Sequence, residues 1–230
     1  MSDNIPSAYE LLRDEILHGD LMPGQRLAVA DLRARYGVGL TPLREALMRL
    51  TSEGLVEAEA NRGAWVSEVS AAELHDLFST RRDLEAVCLA RAMANRSPEW
   101  EANILSSLHL LSRAPVAAAA SDRKAAMHWE SAHRAFHFAL VAACDSAWRL
   151  RLWHMLADQS ARYRKLRLMA PAPVRAAARD IQAEHQAIAT AVIAGDEASA
   201  LALIDSHLAR TEDVVAGLLH SLSVERKTPA

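Results

Sequence analysis

The sequence predicts a mainly α protein in two parts. An N-terminal winged helix-turn-helix spans residues 1–69, a C-terminal antiparallel all-α helical bundle spans 70–224, and a disordered tail covers 225–230. Three observations carry this. Two short helical patterns flank the glycine-bearing turn Gly37-Val38-Gly39, the arrangement of a helix-turn-helix. Two short runs flank Asn61-Arg62-Gly63, which reads as a hairpin with a tight glycine turn. Beyond residue 70, apolar residues recur at helical spacing with no strand pattern.

Ser7 to Gly19 reads as the first helix, with Leu11, Leu12, Ile16 and Leu17 inward, and Pro23-Gly24 turns the chain. A short helix follows from Leu27 to Tyr36. Thr41 is placed as the N-cap of the next helix, with Pro42 at its first position, where no backbone donor is needed. In that helix Leu43, Ala46, Leu47 and Leu50 share one apolar face, while Thr41, Arg44 and Met48 lie away from it and can reach the base edges of DNA. Leu55 to Ala60 and Ala64 to Val69 form the wing.

Ser70-Ala71-Ala72-Glu73 is a capping-box sequence opening a long helix to about Asn95, with Leu74, Leu77, Phe78, Leu84 and Cys88 as its stripe. Ser97-Pro98 opens the next helix, and Ala114-Pro115 to Ala120 reads as a loop. Ser121-Asp122 starts a helix to about Ala143, and Asp145 or Ser146 starts one to Leu168, broken by Pro171 and Pro173. The last two run from about Val174 to Ala194 and from Glu197 to about Leu222, separated by Gly195-Asp196. Six helices without a strand make a bundle.

Composition agrees. With 51% hydrophobic residues but only 5% aromatic, the chain can fill a helical core. No apolar run approaches the roughly 20 residues that cross a bilayer, and the amino terminus lacks a basic, apolar leader. A cytoplasmic protein without a membrane partner is expected. Cys88 and Cys144 lie on separate predicted helices without metal-type spacing and read as two reduced, buried thiols.

Charge opposes a nonspecific nucleic-acid binder. Residues 1–70 hold seven arginines, no lysine and eleven carboxylates, a net charge of −4. Arg33, Arg35, Arg44, Arg49 and Arg62 nevertheless cluster in the helix-turn-helix and the wing tip. Together with Thr41, Pro42 and Gly63 they are the candidate DNA contacts, although Arg49 can instead pair with Glu45. Dimerisation would double the site.

Four of the ten histidines stand out. His133 and His137 are spaced i, i+4 on one helix, and His185 and His207 fall on the last two. Facing helices in a bundle can bring three or four neutral imidazoles to one divalent cation. Spacing alone leaves the other reading open, a pair on the surface or in an ordinary core.

The run from Met22-Pro23-Gly24 through Thr41-Pro42-Leu43-Arg44-Glu45-Ala46-Leu47 to Glu53-Gly54-Leu55-Val56 and Arg62-Gly63 resembles the DNA-binding domain of GntR-family regulators. In that family an arginine normally precedes the Thr-Pro pair, where this chain has Gly39-Leu40. Phe136-His137, Glu184-His185-Gln186-Ala187-Ile188 with Gly195-Asp196, and His207-Leu208 resemble the effector domain of the FadR-type subfamily. The resemblance implies operator DNA as partner, a homodimer, and a metal held by one Asp and three His. His137, His185 and His207 match the histidine positions, and His133 stands at the Asp position. An imidazole there adds no negative charge, so a zinc or nickel ion would favour an anion completing its shell. Glu130, three residues before His133, is a possible further ligand or acceptor but reads as a solvated helix charge.

An arginine beside a metal makes a site for a small organic acid. Arg81, Arg162 and Tyr163 are the candidate effector contacts, with Arg82 and Arg164 solvated. A plain Arg81–Glu85 helix pair is the competing reading for Arg81. His133-Arg134-Ala135-Phe136-His137 and Ala161-Arg162-Tyr163-Arg164 further resemble repressors of organic-acid catabolism that respond to a short dicarboxylate. The expected protein is therefore a ligand-responsive transcriptional regulator and not an enzyme. Two alternatives stand beside it. A metal-carboxylate bundle enzyme would need Glu-x-x-His on two helices, and only Glu130-x-x-His133 supplies it. A winged helix used for protein contacts would suit the acidic balance of residues 1–70.

Overall fold

The computed structural model describes residues 6–59, 62–114, 122–169 and 179–225. The chain divides into two compact units between Ser70 and Ala71. Among the described residues there are nine helices and one two-stranded sheet, the predicted winged helix-turn-helix and helical bundle.

Unit one begins with α1 (Ala8–Leu17), closed by a reciprocal capping box. Ser7 Oγ accepts from Glu10 N at 3.2 Å and Ser7 N donates to Glu10 Oε2 at 2.7 Å. Helix α2 (Val29–Tyr36) starts two residues later than its apolar pattern suggests. The reason is pairing: Leu27 N donates to Ala64 O at 2.8 Å and Arg26 bridges Trp65, so this stretch lies extended against the wing.

Helix α3 (Leu40–Ser52) also departs from expectation. Its N-cap is Gly39, with no side-chain cap, so Thr41 and Pro42 are the second and third helical residues. Proline is tolerated there because the first-turn amides have no intrahelical acceptor. The apolar face is as predicted: Leu43, Ala46, Leu47 and Leu50 are buried against a core that includes Leu12, Ile16 and Leu32. Strands β1 (Val56–Glu59) and β2 (Gly63–Val66) pair antiparallel, Val56 opposite Val66 and Glu59 opposite Gly63. Arg62 N donates to Glu59 O at 3.1 Å at the turn. Residues 60 and 61 of the expected hairpin lie outside the described residues.

Unit two contains α4 (Ala71–Ala94), α5 (Pro98–Ser112), α6 (Arg123–Val141), α7 (Ala147–Met169), α8 (Ile181–Ala194) and α9 (Glu197–Glu225). Helix α4 packs against α6, α7 and α9, while α5 packs on α6 and α8. Trp129, Trp153, Tyr163, Phe78 and Phe136 are the large buried side chains of this core. Trp100 Nε1 on α5 donates to Ala139 O on α6 at 2.8 Å, satisfying the indole where it is buried. Cys88 and Cys144 are free and buried, and burial with the neighbouring Cys144 pushes the Cys88 thiol up to about 12. No helix among the described residues is long and apolar enough to cross a membrane.

Two boundaries shift. Asp180 caps α8 by accepting from Ala183 N at 2.9 Å, so the helix starts at Ile181, and the part of the predicted helix over 174–178 lies outside the described residues. Helix α9 reaches Glu225, which the sequence reading assigned to the tail; residues 226–230 are not described. The loop expected over 115–120 and the breaks at Pro171 and Pro173 are also outside them.

Gly195 ends α8 in the left-handed region at φ +76°, and a Cβ there would lie 2.5 Å from Arg96 Nη1. Arg96 in turn donates from Nη2 to Ile193 O at 2.9 Å. Gly195→Ala is expected to destabilise the bundle by about 1–2 kcal/mol through backbone strain and displacement of this guanidinium. Thermal denaturation in an Arg96→Ala background should show a smaller cost, and an undiminished cost would mean the clash contributes nothing.

Candidate functional site

The four histidines converge. His133 and His137 come from α6, His185 from α8 and His207 from α9, and all four are buried, each at 4% exposure or less. One ligand atom from each lies within 4.8 Å of the other three. Ring centroids stand 4.5 Å apart for His133–His137 and 4.7 Å for His185–His207. Trp129 stacks on His133 at 4.7 Å and Phe136 meets His185 edge-on at 5.2 Å, which walls the cluster with apolar rings.

Two carboxylates orient the imidazoles. His137 Nδ1 faces Glu85 Oε1 at 3.2 Å, and His207 Nδ1 faces Glu184 Oε2 at 2.8 Å. Donation to these oxygens leaves the Nε2 lone pairs of His137 and His207 available. His133 Nδ1, His137 Nε2 and His185 Nε2 are buried without a hydrogen-bond partner among the described residues. Leaving such groups unsatisfied costs about 1–3 kcal/mol each.

Three arginine–glutamate pairs surround the rings. Arg81 Nε donates to Glu85 Oε2 at 3.1 Å, both on α4. Arg179 grips Glu184 with a two-pronged contact, Nε to Oε1 at 2.8 Å and Nη2 to Oε2 at 2.7 Å. It also donates to Thr211 Oγ1 at 3.0 Å and to His207 O at 2.8 Å. Arg164 pairs with Glu130, and its Nη1 is buried without a partner among the described residues.

These surroundings keep the imidazoles neutral. Burial, then His137 and the Arg164 guanidinium, hold His133 well below the ordinary imidazole range. Burial, then His207 and the Arg81, Arg164 and Arg179 guanidinium groups, do the same for His137. His185 is lowered by burial and by its histidine neighbours. His207 is lowered by burial against the opposing hydrogen bond to Glu184. Burial alone would raise Glu184, but hydrogen bonds from His207 and Arg179 hold it well below the usual carboxylate range.

A neutral imidazole is the form that ligates a divalent cation, and the donor set fits one. In a tetrahedral site metal–nitrogen bonds of about 2.0–2.1 Å set the ligand atoms about 3.3–3.4 Å apart, so the widest separation in the 4.8 Å spread must close by about 1.5 Å on binding.

The other candidate contacts separate by what they touch. Arg81 is committed to Glu85, the helix pair weighed from sequence. Arg162 is buried, its Nη1 donating to Gln159 Oε1 at 2.8 Å, and Tyr163 is buried with its hydroxyl donating to Glu73 Oε2 at 2.7 Å. The expectation that Arg164 and Glu130 are solvated is corrected: Arg164 is 3% exposed and the two form an ion pair, because α6 and α7 pack together there. Arg82 is partly exposed and pairs with Asp205 at 3.5 Å. Sequence reasoning missed Arg179 and Thr211 and did not single out Glu184 for a role. Glu184 stands directly before His185, and that adjacency was the available signal.

In unit one, Arg33, Thr41, Pro42, Arg44 and Gly63 are exposed. Arg35 is half exposed and pairs with Glu15 at 2.9 Å. Arg62 is exposed and pairs with Glu59. Arg49 does not pair with Glu45: it lies 3.4 Å from Glu53 and its guanidinium sits 3.6 Å from the Tyr9 ring centroid. Sharing a helix row with Glu45 is not enough to compete with an aromatic face and a carboxylate together.

Comparison with known proteins agrees with both units. Residues 5–66 match "Bacterial regulatory proteins, gntR family" and residues 76–210 match the "FCD domain". The HTH-type transcriptional repressor GlaR of Escherichia coli (strain K12) is 36% identical over 200 residues, covering 87% of this chain and 90% of that protein. An uncharacterised HTH-type transcriptional regulator, BphR of Paraburkholderia xenovorans (strain LB400), is 36% identical over 211 residues, covering 92% of this chain and 84% of that one. The solved structure of E. coli McbR/YncC shares the fold at a TM-score of 0.75 and 22% identity, covering 90% of this chain and 94% of that one. These family and relative names describe DNA-binding regulators of transcription, not enzymes. The chain belongs to the GntR family of bacterial transcriptional regulators, with an FCD domain that carries the four-histidine cluster.

Proposed function

We propose that this regulator is a homodimeric repressor of organic-acid catabolism. In this reading Arg33, Arg35, Thr41, Pro42, Arg44, Arg49, Arg62 and Gly63 approach operator DNA, Arg35, Arg49 and Arg62 by exchanging their present partners for phosphate. His133, His137, His185 and His207 hold zinc or nickel, and a small carboxylate binds beside them. The observation that carries the reading is the buried set of neutral imidazoles with three unpartnered ring nitrogens. A bound divalent cation supplies two positive charges and a coordination position for an anion.

The chain's own residues define the anion's surroundings. Arg81, Arg164 and Arg179 are each offset by a glutamate, so the pocket around four neutral rings carries little net charge before a cation enters. Arg164 Nη1 is a buried donor still open to an acceptor. It supports a dicarboxylate with one end at the histidines and the other on Arg164, with Arg162 and Tyr163 as further walls. An effector that prefers the non-binding arrangement of the dimer moves the population off DNA by its differential affinity. With a DNA-binding domain over 1–69 and an effector domain over 70–224, this reading routes the coupling through the linker near Val69.

The reading is tested by binding the full-length protein to DNA from upstream of its own gene, followed by anisotropy. A short dicarboxylate from a panel of organic acids should weaken binding at least tenfold; unchanged affinity across the panel would overturn the effector role. Elemental analysis with native mass spectrometry of protein purified without chelator should show one zinc or nickel per chain, lost in His185→Ala; full occupancy in that variant would refute the ligand set. Glu184→Gln leaves the ring nitrogens in place but removes the carboxylate that orients His207. Chelator competition should report about 10–100-fold weaker metal binding, and a change under twofold would remove Glu184 from that role.

A further inference from the structure

Between α2, α3 and the wing, unit one opens into a hollow of about 750 Å³, within the range of about 300–1,000 Å³ typical of small-molecule sites. The wing explains why it is there. Strand residues two apart share a face, so Val56 and Ala58 of β1 face the same way as their partners Val66 and Ala64 of β2. Val56 and Val66 are each 1% exposed and close the sheet against the core. The next pair toward the tip is Ala58 opposite Ala64, and two methyl groups leave the space beside α3 unfilled. Leu27, Val29, Leu47 and Met48 form the other walls.

Arg26 and Arg44 also line the hollow, and no carboxylate does. That is unusual in a unit with eleven carboxylates, where Glu53 holds Arg13 and Arg49, Glu15 holds Arg35 and Glu59 holds Arg62. Arg26 and Arg44 have no ion pair or side-chain hydrogen bond among the described residues. Aliphatic walls with unengaged guanidinium groups suit an amphiphilic anion, its apolar body against the walls and its carboxylate on a fork of N–H donors. A neutral apolar molecule would leave the cations unanswered, and a short dicarboxylate would leave the walls bare. We propose that this hollow is a second ligand site, for an apolar monocarboxylate, distinct from the histidine chamber of unit two. A ligand seated between α3 and the wing occupies the space that operator DNA approaches, so it competes with DNA directly and needs no coupling through the linker. The ligand site stands on unit one alone, while the competition rests on the operator-binding reading.

The test titrates decanoate and 2-naphthoate, one extended and one flat, into the full-length protein by calorimetry, beside their neutral amides. At least one acid should bind, and its amide about tenfold more weakly, the effect of losing a charge-assisted contact. Which acid binds reports whether the site takes a chain or a ring. Ala58→Phe fills the hollow from the wing and should abolish binding; Ala58 is exposed, so the melting temperature should be kept. Arg26→Gln should weaken the acid about tenfold and leave the amide unchanged. His185→Ala should bind the acid as the wild-type protein does, which separates this site from the histidine chamber. The bound acid should displace a duplex from upstream of the protein's own gene, followed by anisotropy. No binding of either acid, undiminished binding in Ala58→Phe and Arg26→Gln, or loss of binding in His185→Ala would overturn the proposal. Binding of the acid without displacement would overturn the competition alone. If the wild-type protein binds no such duplex, the operator-binding reading fails and the competition with it, while the titrations still decide the ligand site.

Discussion

Four imidazoles packed between aromatic rings and three guanidinium groups can be buried together only if each ring keeps a single proton and stays neutral. That constraint organises unit two. Each cation near the rings has its own carboxylate: Glu85 for Arg81, Glu130 for Arg164 and Glu184 for Arg179. Without those acids the guanidinium groups would face an apolar interior uncompensated, a loss of several kcal/mol per ion. With them the charges balance locally. The histidines remain neutral, and His133, His137 and His185 each keep a buried ring nitrogen that no donor meets among the described residues. The bundle therefore holds strong metal-donor rings together in their neutral form.

Two of the acids have a second task. Glu85 meets Arg81 with one carboxylate oxygen and His137 with the other, while Glu184 accepts from Arg179 with both oxygens and shares Oε2 with His207. The charge that offsets the cation is thus the same charge that selects the ring tautomer. Glu130 differs, since the described contacts give it Arg164 without an imidazole, and His133 is positioned instead by stacking on Trp129. His133 is accordingly held by aromatic packing, where His137 and His207 are held by carboxylates.

Much of this was legible in the sequence, for reasons that differ by element. The i, i+4 spacing of His133 and His137 placed both on one face of a helix, and family motifs joined His185 and His207 to them. The apolar face of α3 followed from periodicity, as did the sequence of bundle helices. What escaped notice depends on contacts between distant segments. Arg179 lies just before the Asp180 cap of α8, yet one of its partners is Thr211 on α9. Arg164 and Glu130 are 34 residues apart and meet only because two helices pack. The start of α2 was misplaced because Leu27 looks helical by pattern while its amide is taken by Ala64 of the wing. Local pattern reports which face a residue occupies and says little about who stands opposite.

Arg179 spreads one guanidinium over Glu184, Thr211 and the main-chain oxygen of His207, at the point where α8 begins and beside the middle of α9. Because the grip is divided among three acceptors on two helices, losing any one leaves the other two in place. The junction is in this sense redundant: drift in a single partner during evolution would loosen the register between these helices without releasing it.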